Sequence, residues 1–372
     1  MSRRTRIVFA LCLAGLLIAA MLLPLGEGAL ALTAQSFAGW LAGLALLCAI
    51  AALASPRVAV AAQLLACIAC AAAAVLLLRD PLIATQAGAG FWALALGGCV
   101  AAAAAMTALT DLAPREKALQ RLRDIAVPAL FGATLIVLAE LIIRGAGVPA
   151  VLLPAPSAVA WRFAHALPML MEDLVQTYVK AVLIGYALGN GAGFALAMLA
   201  QDRPFFREGV APLAGFMSSL PIVGIAPIMV MWFGFDWESK AAVVAIVTFF
   251  PMFTNALAGL SSANRMDVDL LHSYAATPRQ AFAKLRLPAS LPFVFNALKI
   301  NSTLAFIGAI VAEFFGTPVK GMGFRISIEA ARMSMDVVWA EILLAALVGT
   351  ASYACLVAIE RRLTFWHPSQ RG

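Results

Sequence analysis

Residues 269 to 288 are the stretch whose residue types and spacing suit a definite task. They read Asp269-Leu270-Leu271-His272-Ser273-Tyr274-Ala275-Ala276-Thr277-Pro278-Arg279-Gln280-Ala281-Phe282-Ala283-Lys284-Leu285-Arg286-Leu287-Pro288. This polar, basic segment lies between two long apolar runs. Thr277 suits a helix N-cap and Pro278 the first helical position. About two helical turns can follow, from Pro278 to Leu285. Phe282 and Leu285, three apart, share a face, and Arg279 and Lys284 flank it with positive charge. Leu287-Pro288 is expected to end the helix and return the chain to the next apolar run. The chemistry on offer is recognition. An apolar helix face can enter a groove on a partner, or it can lie among lipid headgroups.

Bond-making chemistry finds no comparable support. No GxxxxGK[ST] phosphate loop is present, so the sequence offers no site for nucleotide phosphates of that type. The three histidines, His165, His272 and His367, are far apart and lack ligand spacing. HExxH and GxSxG patterns are absent, and no enzyme activity is expected. The six cysteines all lie inside apolar runs. Cys67 and Cys70 have CxxC spacing, but no second pair or nearby His completes a metal site, so they are read as small packing residues. The net charge of +7 would point to nucleic acid in a soluble chain. Here 63% of residues are hydrophobic and 12% charged, so lipid is the solvent and the charges set orientation instead.

A span needs about 20 apolar residues. That criterion gives ten: 7–25, 37–54, 58–78, 90–109, 125–145, 178–200, 209–234, 241–262, 291–313 and 338–359. The seventh carries Pro212, Pro221 and Pro227 and is expected to be kinked or broken. Basic clusters fall at Arg3, Arg4 and Arg6; at Arg57; at Arg115, Lys117, Arg121 and Arg123; and at Arg203 and Arg207. Others are Arg265, Arg279, Lys284 and Arg286, then Arg361, Arg362 and Arg371. Ten spans with a cytoplasmic N-terminus put every cluster inside, and the C-terminus as well. The opposite loops hold fewer: Arg79, Arg144, Arg162, Lys320, Arg325 and Arg332. Residues 1–28 have features of a secretory signal, but the apolar run exceeds the usual 7–15 residues and is read as an uncleaved span.

The chain divides into a four-span Ala- and Leu-rich part (1–110), a charged interfacial helix or linker (111–124), six further spans (125–365) and a short cytoplasmic tail (366–372). Gly185, Gly189 and Gly193 recur every four residues and suit close helix packing. Glu140 and Arg144 can pair along one helix. Glu313 stands at or near the end of the ninth span. A carboxylate at bilayer depth costs about 2.5–3.5 kcal/mol unless it meets water or a partner. It either faces water or a partner within the bilayer, or lies at the interface, solvated or capping a helix.

The segment 269–288 resembles the cytoplasmic loop of binding-protein-dependent ABC importer permeases. The family pattern is Glu-Ala-Ala, three residues, Gly, nine residues, Ile, one residue, Leu-Pro. Here Asp269-Leu270-Leu271, Ala275, Leu285 and Leu287-Pro288 keep the spacing, with Asp for Glu and Ala275 for Gly. Further matches follow in order: Leu153-Pro154-Ala155-Pro156-Ser157-Ala158-Val159, Leu220-Pro221-Ile222-Val223-Gly224-Ile225-Ala226-Pro227 and Trp232-Phe233-Gly234. Phe250-Pro251, Asn255 to Leu260, Ala312-Glu313-Phe314-Phe315-Gly316 and Gly321-Met322-Gly323-Phe324 complete them.

The resemblance implies an all-α polytopic protein of the bacterial inner membrane. Its last six spans would form a type I permease core, with a coupling loop at 263–290. It implies a permease homodimer, cytoplasmic ATP-binding subunits that carry ATP and Mg, and a periplasmic or lipid-anchored solute-binding protein. This chain itself would hold no cofactor. Asp269, Ala275, Thr277, Arg279, Phe282, Lys284, Leu285, Leu287 and Pro288 would couple to the ATPase. Glu313, Pro221 and Pro227 would belong to the pathway or gate. Ala275 is expected to impose a conventional backbone where the family Gly permits a tight turn. Leu285 to Pro292 and Ala297-Leu298-Lys299-Ile300 resemble the riboflavin and thiamine-pyrimidine members. Sulfonate, taurine or nitrate transport is the alternative, and a non-transporting membrane scaffold a more distant one.

Overall fold

The computed structural model describes residues 3–23, 56–78, 87–111, 116–201, 203, 205, 209, 221–316 and 320–366. Among these the secondary structure is helical, and no β-strand occurs. The chain forms two compact units, Met1–Ala160 and Trp161–Gly372. The expected span at 37–54 lies outside the described residues.

In the first unit, α1 (Arg3–Leu22), α2 (Pro56–Leu77), α3 (Ala89–Asp111) and α4 (Lys117–Gly145) cover the other expected spans. Leu13 and Leu17 of α1, Cys70 and Ala74 of α2, and Phe91 and Leu94 of α3 share one apolar core with Leu141 of α4. Lys117–Asp124, read as an interfacial helix or linker, is instead the first part of α4, which runs unbroken for 29 residues. Helix α4 ends in a left-handed glycine, Gly147 at φ +62°. Arg144 Nε meets Glu140 Oε1 at 2.5 Å, as the four-residue spacing predicts. The same carboxylate also accepts from Ser157 N at 2.8 Å and Ser157 Oγ at 2.6 Å.

Helix α5 (Pro156–His165) leads into the second unit. There α6 covers Leu167–Ala200, with a π-helical stretch at Val175–Val182. It starts well before the expected residue 178, because Glu172, Asp173, Gln176 and Thr177 interrupt the apolar pattern there. Asp173 and Thr177 are fully buried on partners from elsewhere in the unit. Helix α7 (Ile222–Phe233) starts directly after Pro221, its N-cap, and carries Pro227 inside. Then follow α8 (Trp237–Leu260), α9 (Arg265–Ser273), α10 (Pro278–Glu313), α11 (Met322–Ala331) and α12 (Met335–Leu363).

Helix α8 is the axis of this unit. Its Phe253 and Ala256 pack with Ala197 of α6 and Ala297 of α10. Val244 packs with Val182 and Ala305, and Val243 with Ala226 of α7 and Ala312 of α10. Glycine makes the α6–α8 crossing close. A Cβ at Gly185 would strike the Ala241 carbonyl, one at Gly189 the Thr248 hydroxyl, and one at Gly193 the Phe249 carbonyl. Side-chain amides tie the same layer together, as is common between helices in lipid. Asn301 of α10 donates to Asn190 Oδ1 at 2.6 Å and to the Thr248 carbonyl at 2.7 Å. By length and composition, seven helices among the described residues can cross a membrane, and two shorter apolar helices lie at Ile7–Leu22 and Ile222–Phe233. The remaining part of the expected 209–234 span is largely outside the described residues.

Candidate functional site

The segment 263–290 folds as a helix, a tight turn and the start of a second helix. Asn264 caps α9, its side chain accepting from Met266 N at 3.2 Å. Met266, Leu270 and Tyr274 follow at four-residue spacing and so share a face. All three are well exposed, at 75%, 55% and 78%. This apolar ridge was legible as i, i+4, i+8 spacing but was passed over for the later Phe282–Leu285 pair.

Helix α9 closes with Ala276 N donating to the Leu271 carbonyl at 3.0 Å and Ala275 N to the His272 carbonyl at 2.9 Å. These are the two bonds of a Schellman motif, which places the residue after the C-cap in the left-handed region. That residue is Ala275, at φ +53°. The expectation of a conventional backbone at Ala275 is therefore corrected. The chain keeps the turn that glycine normally serves and bears the steric cost of a Cβ there.

Thr277 and Pro278 begin α10 as expected. Thr277 N donates to Gln280 Oε1 at 2.8 Å, and Gln280 N donates to Thr277 Oγ1 at 3.4 Å, which makes a capping box. The expectation that Leu287-Pro288 ends this helix is overturned. A π-helical stretch at Phe282–Arg286 intervenes, with Leu287 N donating to the Phe282 carbonyl, and the helix runs on to Glu313. A proline inside an α-helix lacks one donor and crowds the carbonyl four residues back. The wider π turn just before Pro288 shifts the bonding by one residue and accommodates that ring.

Of the expected coupling residues, Asp269, Ala275, Thr277, Arg279 and Lys284 are exposed, whereas Leu285, Leu287 and Pro288 are half-buried. Phe282 is turned inward, against the core of Phe253, Ala256 and Ala297.

The far end of α10 holds a buried polar cluster. Glu313 is 2% exposed. Its Oε1 accepts from Thr177 Oγ1 at 2.7 Å and its Oε2 from Gly323 N at 2.6 Å. Thr177 Oγ1 in turn accepts from Met322 N at 2.8 Å. Asp173, fully buried, accepts from Gly321 N at 2.7 Å and from Arg325 Nε at 2.8 Å. The hydrogen bond and charge of Asp173 hold the Arg325 guanidinium's pKa above its ordinary value.

Together these groups satisfy successive backbone donors at the start of α11, where a helix presents unpaired N–H groups and a positive dipole end. That pairing offsets the cost of burying two carboxylates. Gly321, at φ +138°, lies so close that a Cβ would meet the Glu313 carboxylate at 2.7 Å. Buried Lys240 donates to the Phe235 carbonyl at 2.7 Å. Asp173, Thr177 and Arg325 were not singled out from sequence. Pro221 and Pro227 do not meet this cluster. They shape α7, in whose last turn Met231 and Trp232 are exposed, as is Phe235 just after it. Among the described residues, no group of His, Cys, Asp and Glu side chains could hold a metal ion.

Comparison with known proteins gives this arrangement its context. The profile of the family described as binding-protein-dependent transport system inner membrane component matches residues 189–365. The chain is 34% identical to the formylaminopyrimidine transport permease of Halalkalibacterium halodurans, over 65% of this chain and 96% of that protein. It is 29% identical to the riboflavin transport system permease of Chloroflexus aurantiacus, over 70% and 98%. A putative aliphatic sulfonates transport permease of Bacillus subtilis is 27% identical, over 62% and 84%. The profile spans both ends of α10, and the similarity covers nearly the full length of the first two relatives. The chain belongs to this family of inner-membrane components, the permease subunits of binding-protein-dependent ABC importers.

Proposed function

We propose that two copies of this chain form the translocation pathway of an importer, with an ATP-binding subunit docked on each α9 and a solute-binding protein delivering substrate at the opposite face. The observation that carries the docking is the exposed ridge of Met266, Leu270 and Tyr274. Exposed Arg279 and Lys284 follow at the start of α10, and neither forms an ion pair among the described residues. An exposed apolar helix face with unpaired positive charge in the next helix suits a partner groove with an acidic rim. Asp269, Thr277 and Ala275 belong to the same exposed segment. Phe282, packed on the core, anchors it to α6, α8 and α10. In this reading ATP and Mg are held by the partner subunits, and both termini of this chain are cytoplasmic.

The exposed aromatic end of α7, with Trp232 and Phe235, supports a second copy of the chain as its neighbour. Pro221 and Pro227, at the start and middle of α7, then stand near the pathway between copies. The substrate class we favour is a small nitrogen heterocycle, a pyrimidine thiamine precursor or riboflavin. The permeases named for such compounds align over 96% and 98% of their lengths.

The test is purification of the tagged chain from its native membrane in mild detergent. A stoichiometric ATPase should accompany it, and Leu270→Glu with Tyr274→Glu should release that ATPase while the permease still accumulates. Recovery of the parent chain without an ATPase would sink the importer reading in favour of a scaffold. Retention of the ATPase by the double variant would move the docking site away from α9.

A further inference from the structure

The hydrogen bonds and ion pairs at the start of α11 come from two helices, while Met322 packs on Ala340 and Leu344 of α12. Helix α6 supplies most of the anchors. Glu172 pairs with Lys320 at 2.9 Å, Asp173 takes Gly321 N and Arg325, and Thr177 takes Met322 N. Helix α10 supplies one, Glu313, which reaches both Gly323 N and the Thr177 hydroxyl. Glu313 is therefore the link that α10 makes to this buried hydrogen-bonded cluster on α6 and α11.

Helix α10 is also the element that begins in the docking segment. It runs 36 residues from the Thr277 cap to Glu313, about 54 Å at 1.5 Å per residue. That exceeds the ~30 Å hydrocarbon thickness. Its buried face carries small side chains, Ala297, Ala305, Ala309 and Ala312, each 0% exposed. A displacement imposed at Thr277 is then delivered, along one helix, to the Glu313 carboxylate.

We propose that Glu313 is a positioning residue for transport: it carries movement of α10 to α11, so that the outer helix shifts against α6 when the docking segment moves. This rests on the importer reading above and adds to it the joint at which motion leaves the strut. A carboxyl group suits the joint, because its two oxygens accept from two donors on different helices at once. Glycine suits it too: a Cβ at 321 would press on the Glu313 carboxylate, and one at 323 would strike the Ile310 carbonyl of α10.

The experiment places spin labels at Ser327 of α11 and Met171 of α6, both exposed. It uses the complete complex in nanodiscs, with its ATPase and binding protein. The Ser327–Met171 distance is compared without nucleotide and with ATP trapped on the ATPase. The parent should change by at least about 2 Å, the scale of helix shifts in switching proteins. Glu313→Gln keeps one acceptor but turns an amide toward Gly323 N. The distance change should vanish, and transport should fall about tenfold, the size of one lost charge-assisted bond. The ATPase should stay bound and continue to hydrolyse ATP. Should Glu313→Gln fail to accumulate, Glu313→Asp, whose carboxylate falls one methylene short of Gly323 N, carries the same expectation. A purely structural role would instead lower accumulation and leave the ATP response of the surviving complex intact. An ATP response in Glu313→Gln equal to the parent's, or a parent whose α11 does not move, overturns the inference while the importer reading stands. Absence of an ATPase from the parent complex overturns both.

Discussion

Ala275 and Met333 pose the same problem at the residue scale. Each follows a helix C-cap, each has positive φ, and each completes the paired bonds of a Schellman motif. The cost of the left-handed region for a residue with a Cβ is about 1–2 kcal/mol. Ala275→Gly should therefore raise the stability of the detergent-purified chain by about 1 kcal/mol, while Ala275→Val, β-branched, should lower it by more. Thermal unfolding of the three proteins side by side checks this. A melting temperature lower for Gly than for Ala would show that the turn is not under strain. The position was legible in the sequence, because the spacing from Asp269 to Pro288 marks where a glycine is expected. Its backbone was not, because alanine gives no local signal for positive φ. Glu313 shows the same limit from another side. A lone carboxylate beside a span announces a partner, but Thr177 lies 136 residues away and no local pattern points to it.

At the scale of elements, periodicity and length located the described spans, and polar residues displaced their edges. The start of α6 was missed because Asp173 and Thr177 look like loop residues until α11 covers them. The continuity of α10 was missed because Pro288 normally ends a helix, and only the π-helical stretch before it lets the helix pass. The glycine face of α6 was read correctly, and it makes a sharp prediction. At Gly189 any side chain would collide with the backbone of α8, whereas at Gly191, on the same helix, a Cβ meets nothing within 4 Å. Gly189→Leu should abolish accumulation of folded protein, since overpacking of 1–3 kcal/mol is compounded by a backbone that cannot give way. Gly191→Ala should be neutral or stabilising by up to about 1 kcal/mol through helix propensity. Fluorescence-detected size exclusion of both variants separates them. Equal monodisperse peaks would mean that α6 and α8 are not in contact as closely as described.

For the whole molecule, the two ends of the second unit differ in how they treat positive charge. At the end bearing Glu313 and α11, four basic residues are matched by acids. Arg162 pairs with Asp336 at 2.5 Å, Lys320 with Glu172 at 2.9 Å, Arg325 with Asp173 at 2.8 Å and Arg332 with Glu329 at 3.1 Å. At the end bearing α9, Arg265, Arg279 and Lys284 make no ion pair among the described residues. Lys299, further along α10, is matched by Glu360 at 2.9 Å and pins the last turns of α12. In the proposed orientation, which puts the Lys- and Arg-bearing α9 segment on the cytoplasmic side, the α9 end faces the cytoplasm and α11 the outside. The asymmetry also fits the proposed division of labour. One end must keep its charge free for a partner that comes and goes mechanically, and the other must hold a buried polar cluster together in one arrangement. The two sides can be told apart directly, with Ser273 and Ser327 both exposed and lying at opposite ends. In a chain freed of its native cysteines, Ser327→Cys should react with a membrane-impermeant maleimide on intact cells. Ser273→Cys should react only after the inner membrane is opened. Reversed labelling would invert the topology, moving the exposed ridge of α9 away from any cytoplasmic ATPase and leaving the strut to run in the wrong direction.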